Sequence, residues 1–338
     1  MRATGHGPWP GTDAAEAARI VRGELGSPHL PHLVQLPDRG VGSDATGRTA
    51  ALLQELYVDV QPFGWRLTDR PGADHRRAAS ALSSDLDVLA DVVGAEGRPG
   101  PELQIQFTGP LSLAAGLYLH HGERALSDHG ARRDVAASLA AGAAAHVADV
   151  LRLAGAPRLT VLVDEPLLAD VLRGAVPTAS GYRTLRSVPR QEVVQAWTEL
   201  GGALRAAGAS AVVLAPGTAE ETVGATYDAV ASSGADAVYQ PAGRMGRTAW
   251  EASAELVESG AGLWLGVVDP ARPLPAAAAV AGLVRDPWRR TGLETARLGA
   301  VTLLPTGGLD GVTPAAARTV LARLTEAADA LDQIVADS

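Results

Sequence analysis

The sequence predicts an α/β chain folded as a (β/α)8 barrel, on three observations. Short apolar runs alternate with Ala-, Leu- and Arg-rich helical stretches, the pattern of a parallel sheet wrapped by helices. Eight such runs can be counted along the 338 residues. That length exceeds the roughly 250 residues of a usual barrel by only enough for insertions. The runs are 2–5, 33–36, 103–107, 159–163, 211–215, 236–239, 263–268 and 300–304. Helical stretches at 14–24, 48–58, 78–93, 134–153, 191–207, 220–232, 249–259, 274–284 and 314–335 separate and follow them. The last is the best marked: Thr313 can cap its N-terminus, Pro314 suits the first helical position, and Val320, Leu321, Leu324, Ala327, Leu331 and Ile334 recur at helical spacing. It is the helix expected to close the barrel.

Between the second and third runs, residues 57–67 read as a small β-hairpin insertion turning at 61–64. Residues 116–133, with Tyr118 and three histidines, read as a polar excursion after the third strand. No repeat, linker or composition break divides the chain, so residues 1–338 are expected to form one domain. A doubly wound open sheet is the alternative architecture.

Composition narrows the functions. The chain has 65 Ala, 38 Gly, 29 Arg, no Lys, no Asn and no Cys. Lys and Asn have AT-rich codons, so the preference for Arg over Lys reflects a high-GC coding origin rather than phosphate binding. A net charge of −9 argues against nucleic-acid and anionic-membrane partners. The absence of cysteine excludes disulfides, thiol nucleophiles, iron–sulfur clusters and Cys-containing zinc sites. Residues 1–10 lack the apolar core of a signal peptide. The apolar stretches 135–145 and 275–284 fall well short of the roughly 20 residues of a membrane span. A cytoplasmic location is the expectation.

Barrel chemistry lies at the C-terminal ends of the strands. There Asp164 and Glu165 directly follow an apolar run, and strand alternation turns only one of them toward the axis. Such a carboxylate can serve as a general base or hold a substrate ammonium; capping the next helix or pairing with Arg is the structural alternative. His6 stands at the barrel mouth as a candidate base or ligand, or as a hydrogen-bonded structural histidine. The Gly-rich loop 306–311 can offer backbone N–H groups to an anion, or simply turn the chain into the next helix. His120, His121 and His129 lie in the polar excursion, where adjacent histidines do not readily face one ion. All eight histidines fall at or before His146, so the later strands can offer a metal only oxygen ligands.

Taken in order, the strand-end motifs resemble the catalytic barrel of cobalamin-independent methionine synthase, in the superfamily that also holds uroporphyrinogen decarboxylase. The resemblance is to short actinobacterial-type homologues and spans nearly the whole chain. It is carried by residues 7–13 (GPWPGTD), 108–110 (TGP), 164–166 (DEP), 262–269 (GLWLGVVD) and 305–311 (PTGGLDG), five of the strand-end motifs, which also include 216–218 (PGT). The resemblance implies methyl transfer to a thiol such as homocysteine, in methionine biosynthesis, from a methyl-folate-like donor, with the thiolate held on zinc. The family's zinc-ligand positions fall approximately at Leu214, Pro216, Gln240 and Gly307, none of which is a ligand. No metal site and no other cofactor are therefore expected.

On the substrate side the resemblance implies that Asp164 and Asp44 contact the amino group of an amino acid, with Trp9, Thr108, Asp269, Thr306 and Gly307 as further binding positions. His6, Asp164 and Glu165 are the catalytic candidates. Three readings follow: a methyltransferase that handles its acceptor without zinc, a non-catalytic barrel that binds an amino-acid or pterin-like ligand, and a metal-free lyase resembling uroporphyrinogen decarboxylase. The third ranks last because residues 5–13 contain no Arg to grip substrate carboxylates. A small molecule is the expected partner, with no nucleic acid and no membrane; the sequence leaves the oligomeric state open.

Overall fold

The computed structural model describes residues 1–97, 99–217 and 219–337; Thr218, in one of the motifs above, lies outside the described residues. In chain order the strands are β1 (Arg2–Ala3), β2 (Tyr57–Gln61), β3 (Gly64–Thr68), β4 (Leu103–Thr108), β5 (Leu117–Tyr118), β6 (Leu159–Glu165), β7 (Ala211–Pro216), β8 (Ala237–Pro241), β9 (Gly262–Val268) and β10 (Val301–Pro305). The α-helices are α1 (Ala14–Glu24), α2 (Ala45–Ala50), α3 (Ala73–Glu96), α4 (Pro110–Gly116), α5 (His129–Ala154), α6 (Leu168–Arg173), α7 (Arg190–Ala206), α8 (Val223–Ser233), α9 (Arg247–Glu258), α10 (Ala277–Thr291) and α11 (Pro314–Ala336).

Seven strands form one parallel sheet in the order β1-β10-β9-β8-β7-β6-β4. The sheet curls into a TIM-barrel-like α/β fold with helices on its outer face. The run 33–36 is not a strand, which corrects the expectation of eight. Residues 30–35 instead run between the two edge strands, tied to each by single bonds. Toward β1, the Leu30 and Gln35 N–H groups donate to the Ala3 and Gly7 carbonyls, and the Trp9 N–H donates to the Gln35 carbonyl. Toward β4, the Leu33 N–H donates to the Gln104 carbonyl and the Gln104 N–H to the Pro31 carbonyl. Prolines at 28, 31 and 37 remove the donors a continuous ladder needs.

The hairpin forms as expected from β2 and β3, and β5 adds to it in parallel, giving a separate three-stranded sheet. The helix expected over 48–58 is a second correction, because α2 ends at Ala50 and β2 begins at Tyr57. Leu52 and Gln54 have good helix propensity, but α5 competes for the backbone between them. The Ser138 hydroxyl donates to the Gln54 carbonyl at 2.6 Å. Gly142 approaches the Leu52 carbonyl so closely that a Cβ there would lie 1.6 Å from its oxygen. Glu55 then takes a left-handed turn at φ 62°.

Local chemistry sets the helix ends. Asp13 accepts from the Ala15 and Glu16 N–H groups, Asp128 from Ala131, and Thr313 from Ala316, with Pro314 opening α11. α5 is long and apolar enough to cross a membrane by length and composition, but half of that stretch is buried in the fold.

Strand alternation sorts the sheet into two faces. Val161, Val163, Leu214, Val238, Leu265 and Leu303 join the main core with the helices. Leu162, Val213, Ala215, Ala237, Tyr239, Trp264 and Leu304, with Leu30, form a second cluster on the inner face. Just after β1 and along β4 the inner positions are polar: Thr4, His6, Gln104 and Gln106. The concave side is therefore apolar against β6–β10 and polar where the sheet edges meet.

Candidate functional site

A cavity of about 510 Å³ opens at the C-terminal ends of these strands. It is walled by His6 and Pro8 after β1, Gln106 on β4, Asp164 on β6, Pro216 at the end of β7 and Gly217 after it, Tyr239 and Gln240 on β8, and Thr306 to Gly308 after β10. Asp170 and Arg173 of α6 and Arg244 line its rim.

The two consecutive carboxylates of β6 go opposite ways, as alternation requires. Asp164 follows Leu162 on the inner face and lines the cavity. Among the described residues its carboxylate accepts no hydrogen bond and forms no ion pair. Burial, and secondarily the charge of Glu165, raise its pKa to about 7. Glu165 is fully buried on the outer face. It caps α4, accepting from the Leu111 N–H at 3.0 Å and the Ser112 N–H at 2.7 Å, and it also accepts from the Trp197 indole at 3.2 Å. Burial raises its pKa, and these bonds oppose the shift. Gly109 is what lets the carboxylate in, since a Cβ there would lie 2.4 Å from Glu165 Oε1.

His6 is 5% exposed and lines the cavity floor, with its ring edge-on to Tyr239 at 4.9 Å between centroids. Its Nε2 has no hydrogen-bond partner. Burial lowers its pKa to about 4, against hydrogen bonds to Gln106 and to the Pro305 carbonyl, so the ring is neutral at pH 7. His32 lies beside it, pushed down to about 3 by burial and by the charge His6 would carry. The Tyr239 hydroxyl donates to the Thr306 carbonyl at 2.9 Å and pins the Gly-rich loop. Gly266 makes room for that hydroxyl, which a Cβ would meet at 2.6 Å. Burial and the Asp164 charge push the Tyr239 phenol up, while Arg244 pulls it down.

Of the residues singled out from the sequence, the cavity brings together His6, Asp164, Thr306, Gly307, Pro216 and Gln240. The others lie elsewhere. Asp44 caps α2 through the Gly47 N–H at 2.8 Å and accepts from the Trp65 indole at 3.0 Å. Trp9 is buried in the main core, as is Leu214. The Thr108 N–H donates to the Thr49 hydroxyl. Asp269 accepts from the Ala271 N–H and sits 3.3 Å from Arg272. Sequence reading missed Gln106, Tyr239, Asp170, Arg173 and Arg244. A signal for Gln106 was present: in Leu103-Gln-Ile-Gln-Phe107 polar and apolar residues alternate strictly, which puts both glutamines on the face opposite the core.

Zinc fails the donor test. Among the described residues no three His, Asp or Glu side chains converge, and Leu214, Pro216, Gln240 and Gly307 supply no zinc-binding group.

Fold and site together define a TIM-barrel-like protein with a cavity at the strand ends. Its solved structural neighbours include a B12-independent methionine synthase from Shewanella sp. W3-18-1 in complex with selenomethionine. The TM-score is 0.53 at 12% identity, over 81% of this chain and 72% of that one. Tryptophan synthase from Mycobacterium tuberculosis matches at a TM-score of 0.29 and 11% identity, over 74% of this chain and 87% of that one. At 12% identity the likeness to the methionine synthase is one of fold. No protein-family profile and no curated protein sequence matches the chain.

Proposed function

We propose that the chain binds an amino-acid-type small molecule in this cavity, with Asp164 receiving the ammonium and Arg244, which forms no ion pair among the described residues, at the rim facing the carboxylate. The observation that carries the reading is Asp164: a cavity carboxylate without a partner among the described residues, raised to about 7 by burial. An isolated buried carboxylate is costly, and an arriving cation relieves the cost. A ligand bearing both charges satisfies both groups. The selenomethionine held by the methionine synthase neighbour, itself an amino acid, agrees with this class.

Methyl transfer to a thiol-bearing amino acid is the second reading, favoured by the same residue, since a carboxyl with a pKa near neutrality can accept a proton. The two roles of Asp164 compete. Paired with an ammonium it would be held ionised, its pKa lowered by about 1–3 units, and would be a poor base. His6, lowered to about 4, is a weaker base still. The binding role therefore takes precedence, and a zinc-free methyltransferase would have to find its base outside this pair.

The test is calorimetric titration with L-methionine and with 4-methylthiobutyrate, its analogue without the amino group, each with and without a chelator. Binding of L-methionine alone, unaffected by chelator and lost in Asp164→Asn, is expected. Equal binding of the two compounds, or full affinity in Asp164→Asn, would overturn the assignment.

A further inference from the structure

Two glutamines stand one layer apart on the inner face of β4, and the fold treats them differently. The Gln104 amide is fully buried and used at both ends: its Oε1 accepts from the Thr4 hydroxyl at 2.8 Å, and its Nε2 donates to the Gly5 carbonyl at 3.0 Å. Gln106 lines the cavity, and its Oε1 accepts from the Gly7 N–H at 2.9 Å. That bond fixes which end of the amide is which, because a flipped amide would set two donors against each other. The contact with Gln106 that raises the His6 pKa fits the same orientation, since an amide N–H facing the ring would lower it. Nε2 is left with two N–H groups that no acceptor among the described residues takes. Unlike Nε2 of His6, it is reached from the cavity.

Depth decides what this donor can meet. In the β4–β6 register Gln106 pairs with Leu162 and Thr108 with Asp164, so Gln106 lies two residues below Asp164. That is about 7 Å along the strand direction. A side chain that descends from a head group held at Asp164 therefore ends near the Gln106 amide, whereas Arg244 stands at the rim. The other inner-face neighbours at this depth, Leu162 and Val213, are apolar and offer the amide nothing.

We infer that the molecule bound in the cavity carries a neutral oxygen acceptor at the end of its side chain (an amide, ketone or sulfoxide oxygen), and that Gln106 selects for it by donating from Nε2. A ligand without an acceptor would strip water from these N–H groups and leave them unpaired. A carboxylate in the same place would lie close to Asp164 and be repelled by it. The inference rests on the amino-acid reading: Asp164 takes the ammonium, Arg244 faces the carboxylate, and Gln106 takes the end of the side chain.

Two measurements separate this inference from the reading beneath it. The first is calorimetry of two ligand pairs: L-methionine sulfoxide against L-methionine, which differ by one acceptor oxygen, and L-glutamine against L-norleucine. The oxygen-bearing member of at least one pair is expected to bind about tenfold tighter or more. Gln106→Leu should erase that preference while the apolar member still binds. The second measurement needs no variant. In proton–nitrogen NMR of the wild-type chain, the Gln106 side-chain amide signals, assigned through the backbone, should move when the preferred ligand binds and clearly less with its apolar partner. Equal affinities in both pairs, a preference that survives Gln106→Leu, or amide signals that both partners move alike would overturn the inference and leave the amino-acid reading standing. If none of the four binds, that reading falls and the inference with it.

Discussion

Asp164 and Glu165 are neighbours in sequence and differ in nearly everything else, and the contrast extends to other carboxylates. On the side built from β2, β3, α2 and α4, three carboxylates are spent on bonds within the fold: Glu165 on the start of α4, Asp44 on the start of α2 and on the Trp65 indole, and Asp59 on the Asp74 N–H. At the cavity, the Asp164 carboxylate is left with capacity, without a hydrogen-bond or ion-pair partner among the described residues. A buried polar group without a partner costs free energy, so one that persists against a cavity is a candidate for ligand contact. A satisfied one explains itself structurally.

The largest test of this contrast is Glu165→Ala. It strands the Leu111, Ser112 and Trp197 N–H groups in the interior and should lower unfolding stability by about 3 kcal/mol or more in a denaturant titration. Asp164→Asn should instead keep or raise stability at pH 7 while abolishing amino-acid binding.

The pH dependence gives that contrast a sign. The Asp164 pKa rises from 3.8 to about 7 on folding, so its contribution is most favourable below pH 4 and is lost as pH rises to about 7. Each unit is worth about 1.4 kcal/mol before solvent screening. His6 runs the other way: its folded pKa of about 4 lies below the unfolded 6.5, so its contribution is full above pH 6.5 and is lost as pH falls toward 4. In thermal melts from pH 4 to 8, Asp164→Asn should gain stability over wild type as pH rises, whereas His6→Gln should gain as pH falls. Parallel curves for wild type and Asp164→Asn would break the comparison.

Smaller effects sharpen it. Asp44→Ala removes a helix cap and the Trp65 hydrogen bond, and should cost about 1–2 kcal/mol with ligand affinity unchanged. A loss of affinity out of proportion to the loss of stability would return Asp44 to the binding site. Tyr239→Phe removes one hydrogen bond to the loop carbonyl, at about 1 kcal/mol, and should loosen residues 306–308 as read by hydrogen exchange.

Much of this could be read from the sequence where one local rule decides. Seven strands, the hairpin and the long helices follow from periodicity and caps, as at Thr313–Pro314. What escaped depends on contacts distant in sequence. Residues 50–56 look helical until α5 takes their carbonyls, and the run 33–36 looks like a strand until its prolines leave it tied by single bonds. In the site, alternation implied that Asp164 and Glu165 diverge but could not say which one faced inward. Tyr239 was counted only as part of an apolar run, and Arg244 lies in a loop whose path no local rule sets.

The most direct test of the central claim is the titration of the Asp164 carboxyl, followed by carbon NMR in the free chain and with saturating L-methionine. The account predicts a midpoint near 7 in the free chain that falls by at least one unit when the ammonium arrives. A midpoint near 4 in the free chain, or one that the amino acid leaves unmoved, would contradict it.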